Sequence, residues 1–281
     1  MGGTVIGLLH PGEMGAAVGA CLTGRGQEVR WASAGRSPAS ADRAAQAGLA
    51  DAGTVAALAG QAGIILSVCP PHAALDTARA VASAGFTGVY VDANAISPAS
   101  AHQVRSLITV AGGRYVDGGI IGSPPVSAAP GGEVAAGGTR LYLAGGAAAG
   151  DGDSPAAQVA ALFEGTALTP VILRNDNPAG ASALKMAYAA WTKGSAALIL
   201  SVRALARAEG VEDSLLAEWA LSQPDLERRA ARAARSAAAK GWRWVGEMEE
   251  IAASMTADGL PGGFHQAAAE VFRRAAANGQ L

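Results

Sequence analysis

The sequence predicts an α/β Rossmann-like amino-terminal domain followed by an all-α carboxy-terminal domain. Up to about residue 173, short β-rich runs alternate with helical runs, which is typical of a parallel sheet covered by helices on both faces. After a turn-forming cluster at 175–178, the pattern is helical to the end of the chain. We therefore predict one domain at 1–177 and a helical domain at 178–281 that begins with a long interdomain helix.

Individual elements follow from apolar periodicity and from flanking glycine, proline and capping residues. The predicted strands are 4–9, 28–33, 64–68, 89–92, 115–121, 141–144 and 171–173, and the last three are candidates for antiparallel or edge strands. The predicted helices of the first domain include 13–23, 71–84 and 97–111, the last with Ser97 as N-cap and Pro98 at the first helical position. Those of the second domain are 179–208, 215–221, 226–240, 245–255 and 264–277.

Composition narrows the classes of partner. The 281 residues are 50% hydrophobic, and the net charge of −2 comes without a basic run. A nucleic-acid or membrane-surface partner is therefore not expected, whereas a small molecule is. Cys21 and Cys69 lack metal-ligand spacing, so we expect no metal site and a reducing, cytoplasmic location.

Two further features of the sequence argue against a signal peptide and a membrane span. The amino terminus enters a strand without the layout of a signal peptide. The longest apolar helix is interrupted by Lys185, Lys193 and Arg203, whose burial in lipid would be costly.

A glycine-rich turn leads from the first predicted strand directly into a helix. Such a turn presents backbone N–H groups and the positive end of a helix dipole to a pyrophosphate. His10 stands where the first glycine of this motif usually lies, and a purely structural turn stays open as the alternative. The residues predicted to contact a dinucleotide here are His10, Pro11, Gly12, Glu13, Met14 and Gly15.

The second predicted strand indicates which dinucleotide binds. A carboxylate at its end would hold the ribose 2′-hydroxyl of NAD, and none occurs between 29 and 41. Ser33, Arg36 and Ser37 instead offer hydroxyls and a guanidinium to a 2′-phosphate, which favours NADPH (NADP). The alternative is that Arg36 is an ordinary solvated loop residue.

Two more segments follow predicted strands, at the edge where parallel sheets bind their ligands. Val68, Cys69 and Pro70 follow one strand and are predicted to pass beside the cofactor. Asn94 follows the next and is predicted to contact the cofactor through its amide.

In this order, the motifs resemble the β-hydroxyacid dehydrogenase and 6-phosphogluconate dehydrogenase superfamily of NADP-binding oxidoreductases, to which imine reductases also belong. The segments that carry the resemblance are 12–15, 36–37, 97–98, 117–123 and 180–185. The resemblance implies a Rossmann-like domain, an all-helical domain and homodimers whose active sites lie between the domains. The sequence is most similar to an uncharacterised branch that carries the 10–15 turn and the 185–191 helix.

The segment 121–123 departs from that superfamily. Its substrate loop usually carries a serine that holds a carboxylate, and here Ile121 takes that place and is followed by Gly122 and Ser123. We predict that these three residues and Thr192 contact the substrate, with the carboxylate contact absent or shifted.

Lys185 lies in an apolar helical run just after the domain boundary, where a lysine is uncommon unless it has a partner or a function. An ammonium can protonate the oxygen of a carbonyl as it accepts a hydride, and a neutral lysine can remove the proton in reverse. Tyr188 is the second candidate acid, and it shares one helix face with Lys185 and Thr192. The alternatives are a snorkelling lysine and a tyrosine that only packs.

These inferences predict an NADPH-dependent oxidoreductase that acts on a small, β-hydroxyacid-like carbonyl or alcohol substrate, with Lys185 as general acid/base. Reduction of a C=N bond and a non-catalytic NADPH-binding regulator are the alternatives. His265 could reach the site from a partner subunit, or be a capping or surface residue. The arginines Arg228, Arg229, Arg232 and Arg235 are predicted to form a solvated helix face, and Trp242 and Trp244 to line a pocket or pack in a core.

Overall fold

The computed structural model describes residues 4–126, 138–144 and 154–278. The chain forms two compact units, Met1–Lys185 and Met186–Leu281. The helix Gly180–Ala208 contributes residues to both units. The domain boundary that we place at 177/178 from the sequence stays a prediction.

The first unit is built on an eight-stranded sheet. The strands are β1 (Ile6–Leu9), β2 (Val29–Trp31), β3 (Ala50–Asp51), β4 (Ile64–Ser67), β5 (Val89–Asp92), β6 (Arg114–Ile121), β7 (Thr139–Ala144) and β8 (Leu168–Ile172). Their order in the sheet is β3-β2-β1-β4-β5-β6-β7-β8. All neighbours are parallel except β6 and β7, which run antiparallel. This confirms the predicted Rossmann-like architecture, including an antiparallel pair among the last three strands.

Alternating side chains of the strands supply two hydrophobic cores, one on each face of the sheet. In β5, Val89 and Val91 belong to one core and Tyr90 to the other. The helices α1 (Glu13–Thr23), α2 (Pro38–Gln46) and α6 (Pro155–Phe163) contribute to the first core. The helices α3 (Val55–Ala59), α4 (Ala74–Ser83) and α5 (Pro98–Val110) contribute to the second.

The predicted boundaries of α1 and α5 agree with the structure to within one residue at each end. Helix α1 matches its prediction, and Ser97 caps α5 by accepting a hydrogen bond from the backbone N–H of Ser100, with Pro98 following it. The sequence interpretation omitted α2, α3, α6 and the two-residue strand β3, which are too short for a clear periodic signal.

The second unit is helical throughout its described residues. It contains the rest of α7 (Gly180–Ala208), then α8 (Glu212–Ser222), α9 (Leu226–Ala257) and α10 (Gly263–Asn278). The predicted break between 240 and 245 is wrong, because α9 runs through Gly241 without interruption. A Cβ at Gly241 would lie 3.3 Å from the backbone oxygen of Phe272 on α10. Gly241 thus allows α9 and α10 to pack closely together and does not form a turn.

Across the described residues, none of the helices combines the length and the apolar composition that crossing a membrane would require.

Candidate functional site

The strand order places a crevice at the carboxyl ends of β1 and β4. The chain continues from β1 to β2 on one side of this point and from β4 to β5 on the other side. Open parallel sheets bind their ligands at such a point. Leu9 at the end of β1 is paired with Ser67 at the end of β4. The predicted cofactor segments 10–15 and 68–70 therefore follow neighbouring strands at one edge of the sheet.

Two glycines in the turn after β1 have different structural roles. A Cβ at Gly15 would lie 2.1 Å from the backbone oxygen of His10, so the turn itself requires this glycine. A Cβ at Gly12 would meet no protein atom within 4 Å, and Gly12 starts α1 without a side-chain cap. The uncapped helix start beside open space leaves room for an anionic group to approach the backbone, as a pyrophosphate requires.

His10 is largely buried, and its Nδ1 has no hydrogen-bond partner in the described structure. Burial, and secondly the positive charge of Arg36, lower the pKa of His10 to about 4. The imidazole is therefore neutral at physiological pH. Its unpartnered nitrogen at the glycine turn, like the open space over Gly12, fits a site that a dinucleotide completes.

Arg36 lies in the loop after β2, where its charge acts on both His10 and Cys69. Its exposed side chain is available to a phosphate at this edge of the sheet. Ser37 caps α2, because its Oγ accepts a hydrogen bond from the backbone N–H of Ser40. The structure thus brings Arg36 near the glycine turn, as the predicted 2′-phosphate contact requires.

The sequence interpretation missed two charged residues near this loop. Asp51, on β3, accepts hydrogen bonds from the Ser33 hydroxyl at 2.8 Å and from the backbone N–H of Gly53 at 2.7 Å. Arg43, on α2, donates from Nε to the backbone oxygen of Pro11 at 3.0 Å. Neither has a local sequence signal, because the contacts arise when β3 pairs with β2 and when α2 packs beside the glycine turn.

Asn94, in the loop after β5, forms hydrogen bonds to the end of β4 and to the loop that follows it. Its Oδ1 accepts from the backbone N–H of Cys69 at 2.6 Å, and its Nδ2 donates to the Ser67 hydroxyl at 3.1 Å. Burial raises the pKa of the Cys69 thiol to about 11, so this cysteine is a neutral packing residue. The amide of Asn94 is thus engaged with protein atoms, and its contact with a cofactor stays a prediction, as do those of Val68, Cys69 and Pro70.

Strand β6 holds the beginning of α7 through a buried carboxylate. Asp117 accepts from the backbone N–H of Ser182 at 2.8 Å and from the Ser182 hydroxyl at 2.5 Å. A Cβ at Gly119 would lie 2.7 Å from the backbone oxygen of Ala181, so only glycine allows the strand and the helix to approach so closely. The segment 117–119 therefore fixes the helix that carries Lys185.

Lys185 lies at the carboxyl end of β6. Its half-buried Nζ donates to the backbone oxygen of Ile120 at 2.7 Å. Because β1, β4, β5 and β6 are parallel, this is the same edge of the sheet that carries the glycine turn. The structure thus places the predicted proton donor and the predicted cofactor segments on one edge.

The predicted substrate segment begins at Ile121, the last residue of β6, and continues into the turn after it. Ile121 is a buried strand residue opposite Arg140 of β7, and Ser123 is exposed. Gly122 has a φ of +133°, and a Cβ there would lie 2.8 Å from Cα of Thr139, so the turn requires glycine. The contacts of these residues with a substrate stay predictions.

The other predicted site residues belong to the second unit. The Tyr188 side chain is 47% exposed, and the hydroxyl of Thr192 donates to the Tyr188 backbone oxygen at 3.0 Å. His265 is only 6% exposed, so its interpretation as a surface residue is wrong. It packs beside Gly194 of α7, in edge contact with Phe264.

Two buried carboxylates, Asp92 and Asp117, lie side by side on paired strands. Burial raises the pKa of Asp117 to about 6, although the hydrogen bonds from Ser182 oppose this shift. Burial, with the charge of Asp117 as a smaller cause, raises the pKa of Asp92 to about 7. Since one oxygen of Asp92 has no partner in the described structure, charge on this side chain is poorly compensated.

The pKa of Asp92 predicts a pH-dependent stability. Since folding raises this pKa above its ordinary value of 3.8, the folded protein binds more protons, and stability falls as pH rises from about 4 to about 7. We expect Asp92→Asn to remove this loss and to increase the Tm at pH 8 by about 5 °C. The gain in Tm should shrink toward pH 4. Thermal unfolding followed by circular dichroism at each pH measures it.

The matched control for this prediction is Asp76→Asn, which removes an exposed carboxylate that pairs with Arg79. A gain for Asp92→Asn that stays constant from pH 4 to pH 8 would show that the carboxylate is not the source of the pH dependence.

Among the described residues, no group of histidine, cysteine, aspartate and glutamate side chains is arranged to hold a metal ion.

Comparisons with known proteins identify the fold. The family model "Domain of unknown function (DUF1932)" matches residues 206–275. No curated protein sequence matches the chain. One similar solved structure is a conserved protein of unknown function, reported as structurally similar to 3-hydroxyacid dehydrogenases, with 24% identity, a TM-score of 0.64 and coverage of 96% of both chains.

Two similar structures have assigned functions. Mycobacterium tuberculosis 3-hydroxyisobutyrate dehydrogenase with L-serine is 18% identical, with a TM-score of 0.70 and coverage of 98% of this chain and 94% of that chain. Aspergillus terreus reductive aminase with NADPH and ethyl levulinate is 20% identical, with a TM-score of 0.57 and coverage of 99% of this chain and 95% of that chain. The chain therefore has the fold that these dehydrogenase and reductive aminase structures share.

Proposed function

We infer that this chain is an NADPH-dependent oxidoreductase acting on a small carbonyl or alcohol substrate. The observation that carries this proposal is that Lys185, the glycine turn after β1 and Arg36 all lie at the carboxyl ends of the parallel strands. The shared fold supports it, since the dehydrogenase and reductive aminase with this fold contain L-serine and NADPH respectively.

The residues at the glycine turn are suited to hold NADPH. The start of α1 at Gly12 would face the pyrophosphate, and Arg36 would pair with the 2′-phosphate. Asp51 accepts hydrogen bonds from Ser33 and Gly53 and is exposed, so its carboxylate is the competing partner, for a ribose hydroxyl of NADH. When bound, the reduced nicotinamide supplies a hydride.

Lys185 would act on the oxygen atom of the substrate. Its ammonium donates a proton to the carbonyl oxygen as negative charge develops there, and the neutral amine removes the hydroxyl proton in the reverse direction. The hydrogen bond to Ile120 orients Nζ, and the contacts of Asp117 and Gly119 hold the helix. Tyr188 remains the second candidate donor. We also propose that the protein is a homodimer.

Reduction of a C=N bond is the second candidate activity. A reductive aminase shares the fold, and the buried Ile121 stands where the resemblance implies a carboxylate-binding serine. A panel of ketones, aldehydes, β-hydroxyacids and cyclic imines, followed by NADPH absorbance, tests both activities. Turnover of imines alone would contradict carbonyl chemistry.

Arg36→Ala tests the choice of cofactor. We expect it to raise the Kd for NADPH about 10- to 100-fold and to leave the Kd for NADH within about threefold, because only NADPH carries the 2′-phosphate. Titration calorimetry with both nucleotides measures this effect.

Asp51→Asn is the paired variant, because it removes a charge of opposite sign from the same edge. It should leave NADPH binding intact or strengthen it. If Asp51→Asn weakens NADH binding while Arg36→Ala leaves NADPH binding unchanged, the protein uses NADH.

A further inference from the structure

The helical unit contains a cavity of about 220 Å³ between α7 and α9. Its wall includes Arg229, Arg232 and Trp244 from α9, and Trp191 and Ser195 from α7. Thr192, a predicted substrate residue, also lines it. We propose that this cavity binds a small organic anion in which an aromatic ring carries a carboxylate or phosphate group.

The positive charge of the cavity wall favours an anionic ligand. Arg229 and Arg232 are three residues apart on α9, so their side chains project on the same side of the helix. No aspartate or glutamate lines the cavity, and neither guanidinium forms an ion pair within the described residues. By contrast, the neighbouring Arg228 pairs with Asp225 at 2.8 Å.

Guanidinium groups suit both a carboxylate and a phosphate. Each guanidinium presents several N–H donors in a plane that matches the oxygens of either acidic group. The hydroxyls of Ser195 and Ser236 also line the cavity; the Ser195 hydroxyl makes a long hydrogen bond of 3.4 Å to the Thr192 backbone oxygen, which a ligand would replace. Two of the arginines that the sequence suggested as part of a solvated face, Arg229 and Arg232, therefore line one solvent-open cavity together with these hydroxyls.

The two tryptophans of the cavity wall favour a ligand that carries a flat apolar ring. The Trp244 ring meets Phe272 edge-on, with centroids 5.0 Å apart, and the ammonium of Lys193 lies 5.7 Å from its centroid. Lys193 in turn pairs with the buried Glu247, which holds the ammonium against the ring. Trp244 is thus held in place before any ligand arrives, while Trp191 is 68% exposed and can be covered by one.

The volume limits the size of the ligand. Drug-sized molecules occupy pockets of about 300 to 1,000 Å³, so about 220 Å³ suits a single ring with one acidic group. This inference concerns the helical unit alone and does not depend on the proposed reaction.

Fluorine NMR of the full chain without nucleotide tests the proposal. 4-Fluorobenzoate and 4-fluorophenyl phosphate at millimolar concentration should show saturable line broadening, and neutral 4-fluorobenzamide should not. Whichever acid binds more tightly identifies the preferred group. Arg229→Gln and Arg232→Gln should each raise the apparent Kd about tenfold, and added salt should weaken binding.

Two further variants distinguish binding inside the cavity from a general attraction of anions to the positive charge of α9. Arg228→Gln removes the same charge from the same helix outside the cavity, and it should change the Kd by less than about twofold. Ala196→Phe should abolish binding by filling the cavity from α7 with both guanidiniums retained. Circular dichroism confirms that each variant is folded.

The proposal is overturned if no acid binds, if the neutral amide binds equally well, or if Arg228→Gln weakens binding as much as Arg229→Gln.

Discussion

Lys185→Met is expected to reduce kcat for the carbonyl substrate by about 100- to 10,000-fold, the range in which general acids contribute to catalysis. The variant loses the ammonium and its hydrogen bond to Ile120 but keeps a long apolar side chain on α7. NADPH binding should change by less than about threefold, because the proposed cofactor contacts lie in other segments. Steady-state kinetics and titration calorimetry measure the two effects separately.

Lys240→Met is the matched control, because it makes the same substitution at an exposed position on α9. Its kinetics should equal those of the wild type. If Lys185→Met keeps full turnover, Tyr188 becomes the leading candidate for the donor, and Tyr188→Phe tests it. If the wild type binds NADPH but turns over no compound in the panel, the regulator without chemistry is favoured.

Gly15→Ala and Gly12→Ala are expected to damage the glycine turn in different ways. Alanine at 15 would place Cβ 2.1 Å from the His10 backbone oxygen, so the turn must move. We expect a loss of about 3 kcal/mol or more in the free energy of unfolding, and a Tm lower by about 5–10 °C. Thermal unfolding without nucleotide measures this effect.

Alanine at 12 would meet no protein atom within 4 Å, so the Tm without nucleotide should stay within about 2 °C of the wild type. The added methyl group would instead occupy the approach to the start of α1, and the Kd for NADPH should rise about tenfold or more. Unchanged NADPH binding by Gly12→Ala would argue that the turn only packs the strand against the helix.

The fold class was predictable because its signals are local and repeated. Apolar strands such as β1 and β5 alternate with helices, and glycine or a capping serine marks several boundaries. The predicted break in α9 failed because Gly241 was treated as a helix breaker. Only the packing of α10 against α9 shows that this glycine admits a neighbouring backbone.

Parts of the candidate site were predictable for the same reason. Residues 10–15, Arg36 and Lys185 stand at recognisable points relative to strand ends, so the sequence indicated them. Asp51 and Arg43 were missed because their contacts join elements that are distant along the chain. Arg228, Arg232 and Arg235 are exposed, as the prediction of a solvated face has them, but a helical pattern on α9 cannot show that Arg229 and Arg232 also line a cavity beside α7.

By itself, the sequence determined the Rossmann-like sheet, the helical second part and the glycine turn that joins β1 to α1, because each depends on spacing between near neighbours. Only the tertiary structure decided that Lys185 lies against the backbone of Ile120 on the same sheet edge as that turn. Two close contacts bring this about, the buried hydrogen bonds of Asp117 with Ser182 and the packing of Ala181 against Gly119. These contacts form only when β6 and α7 meet, so no local pattern contains them.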